Sequence, residues 1–378
     1  MRLFSGSVAA LALTTAVGLV SGAAAPSASA APARRADPVT LVGSGWGHAH
    51  GMSQYGAQGA AKQGLNAGQI LDFYYPGTAS GRAGGSIKVL VTADTTSNVI
   101  VQHKSGLSVR SVATGKTWKL GKRGAKRWKL TPAGAKTRLW VKTTGWHAVR
   151  DIPGAAEFKG GVIRLYVPGG SALYRGKLRA VSGDTVNIVS VENYLRGVVP
   201  AEMPARWMPA AVQAQAVAAR TYAIFERDNA RHGYFDVWDT TQSQVYRGVA
   251  AELPESDAAI RATAGVVRTY QGKAAFTQFS SSNGGWMAAG SQPYLVTKKD
   301  PYDPATPWNP PVTLTPAQIE QQFPGIGPFT KLVITADASA GGRVTKVQIV
   351  GTGGKSTTLT GDQFRVRFGL RSTLFHAQ

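Results

Sequence analysis

Short runs of alternating apolar and polar residues fill the first half of the chain, from about residue 84 to 178. Examples are SIKVLVTA, VIVQHK, TRLWVKTT and GVIRLYV, and glycines separate them. A period of two places every second side chain on the same face of a strand. These runs therefore predict half-buried antiparallel strands.

A helical period replaces this alternation in PAAVQAQAVAARTYAIFERDNAR, over residues 209–231. One continuous face is formed by positions at i, i+4, i+7 and i+11, namely Ala211, Gln215, Ala218 and Tyr222. Pro209 suits a first helical turn, and Gly233 follows the end. The pattern predicts a helix that packs closely on a sheet through small residues and directs Gln215 inward.

Shorter elements are predicted on both sides of this helix. Ser53 is a candidate cap for a helix to about Lys62, and a second short helix is expected over residues 67–74. The stretch GVVRTYQGKAAFTQFSSSNGGW predicts a β-hairpin whose second strand ends in a Ser-Ser-Ser-Asn-Gly-Gly loop. After residue 312, a Thr315-capped helix, two strands and a final short helix are expected.

The predicted fold class is α+β, in which a mixed or antiparallel sheet holds helix 209–231 across a groove. The expected organisation is a signal peptide, a linker, a Gly-rich segment, an inserted basic β-rich module, a catalytic core, and an α+β segment that completes the core. Their respective bounds are 1–30, 31–40, 41–80, 81–180, 181–310 and 311–378.

The first thirty residues, MRLFSGSVAALALTTAVGLVSGAAAPSASA, have the composition of an export signal. Arg2 precedes an apolar run, and Ala28-Ser29-Ala30 fits the small-residue rule of signal peptidase. A retained membrane anchor is the alternative, but the run is shorter than the ~20 residues that span a bilayer. A secreted, cell-wall-associated protein is expected.

Charge and cysteine content narrow the function classes further. Only 16% of residues are charged, yet the net charge is +22, which indicates polyanionic surroundings. Export disfavours nucleic acid as the partner and favours anionic cell-wall polymers. The chain has no cysteine, which excludes thiol nucleophiles, disulfides and thiolate metal sites.

One carboxylate, Glu202, lies in the apolar stretch VVPAEMPARW, residues 198–207. Apolar neighbours would desolvate this carboxylate and raise its pKa, as a general acid near neutral pH requires. The alternative is a structural anion that complements the dipole of the following helix. Composition alone leaves both interpretations open.

Five stretches of the chain form a recognisable set of motifs: VENYLRGVVPAEMPARWMPAAVQAQAVAARTYAIF, WDTTQSQVYRG, FSSSNGGW, PYLVTKKDPYD and GWGHAHGMSQYGAQGAA. Together they resemble the SpoIID/LytB family of bacterial sporulation and cell-wall proteins. In the last motif His48 falls on the family histidine and Ala49 replaces a glycine. This motif follows the Glu-Met-Pro segment in many relatives and precedes it here. Gln213 replaces a family lysine.

The resemblance implies lytic transglycosylase chemistry on peptidoglycan glycan strands, with Glu202 as the single acid and base. Such an enzyme uses the sugar's own 6-hydroxyl as nucleophile and forms 1,6-anhydro ends, so the second carboxylate of a glycoside hydrolase is not required. The alternative is a non-catalytic wall-binding module that enhances a separate N-acetylmuramoyl-L-alanine amidase, a possible partner. No cofactor is expected.

Motif positions supply the candidate substrate-binding residues. They are Gln215, Arg220, Tyr222, His48, Ser53, Gln54, Tyr55, Gln244, Tyr246, Ser280, Ser281 and Ser282. For Gln215, Arg220, Gln244, Tyr246 and the serines, a structural role remains an alternative, and the serines lack a neighbouring His-Asp signal for activation. His48 and His50 have the spacing of two ligands on an extended segment. The resemblance implies zinc held by histidine and cysteine together in some family members, and because this chain has no cysteine, no metal site is expected.

Overall fold

The computed structural model describes residues 36–229 and 232–378. The predicted signal peptide, half of the linker and the predicted end of the long helix at residues 230–231 lie outside the described residues. Helices account for 25% of the described residues and strands for 37%, in mixed and antiparallel sheets. The α+β fold class is therefore confirmed.

The described residues form seven α-helices and four short 3₁₀ helices. The α-helices are α1 Gln54–Lys62, α2 Ala67–Tyr74, α3 Val191–Glu202, α4 Pro209–Asn229, α5 Pro254–Ala262, α6 Pro316–Gln322 and α7 Gly361–Arg367. The 3₁₀ helices are Gly248–Ala251, Pro324–Ile326, Ala338–Ala340 and Thr352–Gly354. The predicted caps Ser53 and Thr315 each accept a hydrogen bond from a backbone N–H of the first turn, and Thr360 caps α7 in the same way.

Twenty-six strands occur in the same described ranges. The first fifteen are β1 Val39–Gly43, β2 Met52–Ser53, β3 Ala79–Arg82, β4 Ser86–Leu90, β5 Val99–Gln102, β6 Ser108–Ser111, β7 Thr117–Lys119, β8 Arg127–Ala133, β9 Lys136–Lys142, β10 Trp146–Pro153, β11 Ala156–Lys159, β12 Ile163–Val167, β13 Gly170–Tyr174, β14 Lys177–Val181 and β15 Asp184–Ser190. The others are β16 Val237–Trp238, β17 Val266–Tyr270, β18 Lys273–Ala274, β19 Phe279–Ser280, β20 Trp286–Met287, β21 Lys298–Lys299, β22 Val312–Leu314, β23 Phe329–Asp337, β24 Arg343–Gly351, β25 Ser356–Thr360 and β26 Phe375–Ala377.

Two large sheets form a sandwich in the first half of the chain. One has six antiparallel strands in the order β10-β9-β8-β5-β12-β13, and the other has seven in the order β16-β4-β15-β14-β11-β6-β7. Alternate side chains such as Leu130, Leu139, Phe158 and Leu178 are fully buried in one cluster. The predicted alternation therefore corresponds to an inner apolar face and an outer polar face on each sheet.

The basic β-rich module is continuous with the core rather than separate from it. Strands β4 and β15 pair along five residues, from Ser86 to Leu90, and β16 extends the same sheet. Strand β15 leads directly into α3, and the buried residues of the sandwich and of the helices belong to one apolar cluster. The middle segment is thus an elaboration of the core sheet.

Helix α4 is the central element of the helical layer. It contacts α1, α2, α3, α5 and β17. Thirteen of its residues are buried, seven of them alanines or similarly small side chains, and Gln215 and Arg220 are fully buried with them. Small side chains allow several elements to approach one helix closely, as the sequence pattern predicted.

The last part of the chain encloses a second apolar cluster, and the start of the described chain belongs to it. Strand β1 pairs with β22 on one side and β26 on the other. Leu41 on β1 packs in the same cluster as Trp308, Phe364 and Phe375. The boundary expected at residue 41 therefore separates residues that fold together.

The predicted hairpin after residue 264 is shorter than expected. Strand β18 has two residues, because Phe276 N donates to the Tyr294 hydroxyl (2.6 Å) and Thr277 Oγ1 donates to a carbonyl of α4 (2.8 Å) instead of continuing the ladder. The chain then forms β19, which pairs in parallel with β2. This pairing joins the Ser-Ser-Ser loop to the Gly-rich motif, although the two are far apart in the sequence.

Gly197 on α3 is required by close packing. A Cβ at this position would lie 2.6 Å from the Tyr246 ring, well inside van der Waals contact. Both residues belong to motifs quoted above, so their packing explains why a glycine and a tyrosine occur together.

Gly197→Ala is expected to lower the free energy of unfolding by about 1–3 kcal/mol, because the added methyl must displace the buried Tyr246 ring. Urea denaturation at neutral pH measures this. Gly325→Ala is the matched control, since a Cβ added there would meet no other part of the protein within 4 Å. Equal stability of the two variants would contradict the packing argument.

Candidate functional site

Glu202 is the last residue of α3, at the point where the chain turns toward α4. Met203 is extended, with φ −137° and ψ 139°, as is typical of a residue before proline. Val198, Val199 and Met203 are buried around it. Pro204 therefore ends α3, and the Glu202 carboxyl is left half-buried between apolar side chains.

Two hydrogen bonds hold this carboxyl. The Val245 N–H donates to Glu202 Oε1 at 2.7 Å, and the Gln54 side chain also donates to the carboxyl. Burial raises the pKa of Glu202 above its usual range, and the two hydrogen bonds lower it by less. No charged side chain of the described residues contributes to this shift. The site therefore contains one desolvated acid.

Gln54 and Gln215 form a buried amide pair beneath Glu202. Gln54 Nε2 lies 3.4 Å from Gln215 Oε1, at the limit of a hydrogen bond. Gln54 is 6% exposed and Gln215 is fully buried. Gln54 thus contacts the acid, whereas Gln215 positions Gln54 from α4 and does not reach the surface.

Gln244 and Tyr246 anchor the segment that contains Val245. The Tyr194 hydroxyl donates to Gln244 Oε1 at 3.0 Å, and the Tyr246 hydroxyl donates to Asn187 Oδ1 at 2.8 Å. Both anchors are buried, at 1% and 4% exposure. Their role in the structure is to fix the backbone N–H between them, so neither presents its side chain to a ligand.

Ser53 and Ser282 are held by Asp303. The Ser53 hydroxyl donates to Asp303 Oδ2 at 2.6 Å, and the Ser282 hydroxyl lies 2.9 Å from both carboxylate oxygens. Asp303 also accepts the backbone N–H of Asn283 at 3.0 Å. These contacts tie the Ser-Ser-Ser loop to the first turn of α1 and use both hydroxyls within the protein.

Tyr55 and Ser281 face a surface cavity of about 530 Å³. Its other lining residues include Trp46, Trp308 and Arg371. Trp46 is 60% exposed and Tyr55 is 48% exposed. Large exposed rings around a cavity are a typical surface for sugar faces. Tyr55 directly follows Gln54, which donates to the Glu202 carboxyl, so adjacent residues of α1 connect the cavity to the acid.

Trp207 extends this aromatic surface on the Glu202 side. Its ring lies 4.9 Å from the Tyr55 ring in an edge-to-face arrangement. Trp207 is half-buried in the turn that follows Glu202. Trp46 and Tyr55 at the cavity, together with Trp207 beside Tyr55, form the group of rings that we call the aromatic path.

Arg220 does not reach this surface. Its side chain is fully buried and donates to Glu192 through Nε (2.9 Å) and Nη2 (2.8 Å). It also donates to the Val266 carbonyl at 3.1 Å. As placed, Arg220 connects α4, α3 and β17, so its position supports the structural alternative over substrate contact. Glu192, at the start of α3, is its partner.

His48 and His50 stack on each other, with ring centroids 5.0 Å apart. Burial, then the charges of His50 and Arg365, lower the pKa of His48 to about 4, so the ring is neutral at neutral pH. The charged neighbours Arg365 and Asp362 belong to α7. His48 therefore lies between the Gly-rich loop and the last helix, away from the hydrogen bonds that hold Glu202.

Ser280 and Tyr222, the other two candidates, each contact another part of the protein. The Ser280 hydroxyl accepts the Ala49 N–H at 3.2 Å, which stabilises the Gly-rich loop. Tyr222 stacks on Phe276 with ring centroids 5.5 Å apart, on the hairpin side of α4. Over the described ranges, no group of three or more His, Asp or Glu side chains is arranged to hold a metal ion, and no helix has the length and apolarity to span a membrane.

The structure thus brings Gln54, Gln215 and the Gln244–Tyr246 segment together at Glu202, with Tyr55 and Ser281 at the adjoining cavity. Sequence reasoning missed Val245, Trp46 and Trp207. Val245 acts through its backbone, so no side-chain pattern marks it. The two tryptophans lie within quoted motifs, and their position beside Gly47 and after the Glu-Met-Pro segment was an available signal.

Comparison with known proteins supports the motif analysis. The stage II sporulation protein (SpoIID) family profile matches residues 180–270. The amidase enhancer of Bacillus subtilis (strain 168) is 39% identical over 132 residues, which cover 33% of this chain and 17% of that protein. Stage II sporulation protein D of the same organism is 30% identical over 226 residues, or 51% of this chain and 62% of that protein.

A third relative, stage II sporulation protein D of Bacillus amyloliquefaciens, is 31% identical over 150 residues, covering 33% of this chain and 43% of the relative. The chain spans less than two thirds of the length of each of these relatives. The matches place it among bacterial proteins related to sporulation and the cell wall. The profile match over residues 180–270 and these relatives confirm the resemblance to the SpoIID/LytB family that the motifs predicted.

Glu192→Gln is expected to lower the free energy of unfolding by about 2–3 kcal/mol, because it leaves the buried Arg220 guanidinium without its counter-charge; the partial exposure of Glu192 limits the loss. Chemical denaturation measures it. The control is Glu255→Gln, whose partner Arg206 is 90% exposed. Unchanged stability of Glu192→Gln, with loss of glycan binding, would instead indicate a substrate contact.

Glu202→Gln is expected to be more stable than the wild-type protein at pH 7 and equally stable at pH 3. The folded pKa of Glu202 is raised, so the folded state binds more protons than the unfolded state between the two pKa values, and wild-type stability falls as pH rises through them. Below that range the carboxyl is protonated in both states. Denaturation across pH 3–8 tests this; a gain confined to low pH would contradict it.

Proposed function

We propose that this protein is a lytic transglycosylase that cleaves peptidoglycan glycan strands and leaves 1,6-anhydro ends. The observation that supports this most directly is the single desolvated carboxyl of Glu202, with no charged partner among the described residues. A raised pKa leaves a larger fraction of the carboxyl protonated at any given pH than an exposed glutamate would have, and the protonated form can protonate a leaving oxygen. A second carboxylate is unnecessary when the sugar supplies its own nucleophile.

The proposed reaction uses Glu202 twice. Its carboxyl first gives its proton to the glycosidic oxygen as the bond from C1 to that oxygen breaks. The 6-hydroxyl of the same sugar then attacks C1, and its proton passes to the Glu202 carboxylate. The 1,6-anhydro ring forms, the carboxyl is protonated again, and no water is consumed.

The hydrogen bonds of Glu202 suit both steps. The Val245 N–H at 2.7 Å and the Gln54 amide stabilise the carboxylate once its proton has left. Because both donors are neutral, they lower the pKa by less than a cation would, and the carboxyl keeps its acid function. The buried anchors Gln244 and Gln215 hold these donors in place.

The aromatic path provides the proposed glycan surface. Trp46 and Tyr55 present exposed rings at the cavity of about 530 Å³, which has room for sugar residues, and the Trp207 ring lies edge-to-face with that of Tyr55. Ser281 at the cavity wall is a candidate for hydrogen bonding to sugar hydroxyls. We propose that the protein acts outside the cell, at the wall, after export through its amino-terminal signal.

Glu202→Gln is expected to lower the rate of glycan cleavage by about 10²–10⁴-fold or more, since it removes the only proposed acid. Mass spectrometry of glycan strands with and without stem peptides would count new 1,6-anhydro ends. Glu255→Gln, an exposed acid on α5, is the matched control and should cleave normally. Retained binding of Glu202→Gln to purified walls shows that the variant is folded.

Two other outcomes would overturn the proposal. Reducing ends in place of anhydro ends would indicate hydrolysis and a second carboxylate. No cleavage of either substrate, with wall binding retained, would favour the second candidate, enhancement of a separate cell-wall amidase. The 39% identity to a protein named amidase enhancer supports that alternative. Amidase assays with Glu202→Gln separate the two, because enhancement by binding alone would survive this substitution.

A further inference from the structure

The outer face of the six-stranded sheet contains basic and aromatic side chains in alternation. The six residues that define this aromatic–basic face are Arg127, Lys129, Trp140, Lys142, Trp146 and Tyr166. They lie on β8, β9, β10 and β12, and each is half-exposed. The intervening residues of β8 and β9, such as Trp128 and Leu139, point into the sandwich.

The strand register brings these six residues side by side. Lys129 on β8 lies opposite Trp140 on β9, Arg127 lies opposite Lys142, and Lys142 lies opposite Trp146 on β10. Neighbouring strands are ~4.8 Å apart, so the cations and rings of β8, β9 and β10 lie next to one another. Tyr166 on β12 lies one strand further on, beyond Ile100 of β5.

The cations contact rings and not carboxylates. Lys129 Nζ lies 5.0 Å from the centre of the Trp140 ring and 4.5 Å from that of Trp146. The Arg127 guanidinium lies 3.8 Å from the centre of the Tyr166 ring. These contacts orient the cations without neutralising them. Partial burial also lowers the pKa of Lys129, in keeping with the absence of a counter-charge among the described residues.

Acidic residues are nearly excluded from this sheet. Within its six strands, all of them in the described part of the chain, the one acid is Asp151 on β10. Asp151 is held by Arg138, with Nε–Oδ1 at 2.6 Å and Nη2–Oδ2 at 3.0 Å. It therefore leaves Arg127, Lys129 and Lys142 free of ion pairs within the described structure.

We propose that the aromatic–basic face binds a phosphodiester-linked polyol or sugar polymer of the cell envelope. Unneutralised cations select an anionic chain over a neutral glycan, and half-exposed rings between them pack on the carbon faces of polyol or sugar units. A flat sheet face suits an extended polymer, not a small ligand. The choice of an envelope polymer over nucleic acid rests on the proposed wall function, because both present phosphates.

Binding of purified poly(glycerol phosphate) teichoic acid to the mature protein tests this. Arg127→Gln/Lys129→Gln/Lys142→Gln is expected to weaken binding about tenfold or more at about 50 mM salt, and to flatten the slope of log K against log salt by about 0.7 per cation removed. Trp140→Ala/Trp146→Ala is expected to weaken binding about tenfold with an unchanged salt slope.

The matched control is Lys331→Gln/Lys346→Gln/Lys355→Gln, which removes three exposed charges from the carboxy-terminal part of the chain. It should bind nearly as well as the wild-type protein. An equal loss in this control would reduce the effect to net charge and overturn the proposal, as would absence of binding by the wild-type protein. Thermal melts establish that each variant is folded.

Two further arms identify the polymer and separate this inference from the proposed reaction. A single-stranded oligonucleotide with the same number of phosphates should bind more weakly; equal or tighter binding would overturn the choice of an envelope polymer, and tight binding of a neutral chitin oligosaccharide would overturn the role of charge. Glu202→Gln should bind the teichoic acid unchanged, so a failure of the catalytic proposal leaves this result intact.

Discussion

Close packing on α4 is the constraint on which the rest of the structure depends. Its alanines allow α1, α3 and α5 to approach one helix, and this approach brings residues from distant parts of the chain to Glu202. Two large polar residues of the same helix, Gln215 and Arg220, are fully buried because those neighbours leave no route to solvent. Each is therefore matched to a polar partner, Gln54 or Glu192, and those pairs set how α1 and α3 are placed.

The site also contains local features that cost stability. The half-buried Glu202 carboxyl is harder to ionise than an exposed one. Two neutral donors, in place of a cation, stabilise its charged form and offset only part of this penalty. Ala49, which stands where the motif of the resembled family has glycine, adopts φ +63°, a conformation that L-residues rarely occupy. Its buried methyl group and the hydrogen bond from its N–H to Ser280 offset that strain. Such costs are typical of functional regions.

Periodicity predicted the elements well because it reports burial, which determines where helices and strands lie. The alternation before residue 178 and the face of the 209–231 helix both match the structure. Long-range pairings were not predictable in the same way: β19 joins β2, and β1 joins the last strands, through backbone hydrogen bonds that leave no mark in composition. The motifs identified Glu202 and its neighbours. They did not show that Arg220, Gln244 and Tyr246 are buried and act inside the protein, because burial depends on packing from several elements at once.

The placement of charge connects the two proposals. A chain with a net charge of +22 has many cations, and any of them beside Glu202 would lower its pKa and weaken it as an acid. Yet no charged group of the described residues contributes to that pKa. Arg127, Lys129 and Lys142 lie on the outer sheet of the sandwich, on an elaboration of the core that leaves the α3–α4 turn unaltered. A separate basic surface thus allows strong attraction to an anionic wall without lowering the pKa of Glu202. The reason is that screening by salt reduces the influence of exposed cations beyond about 10 Å.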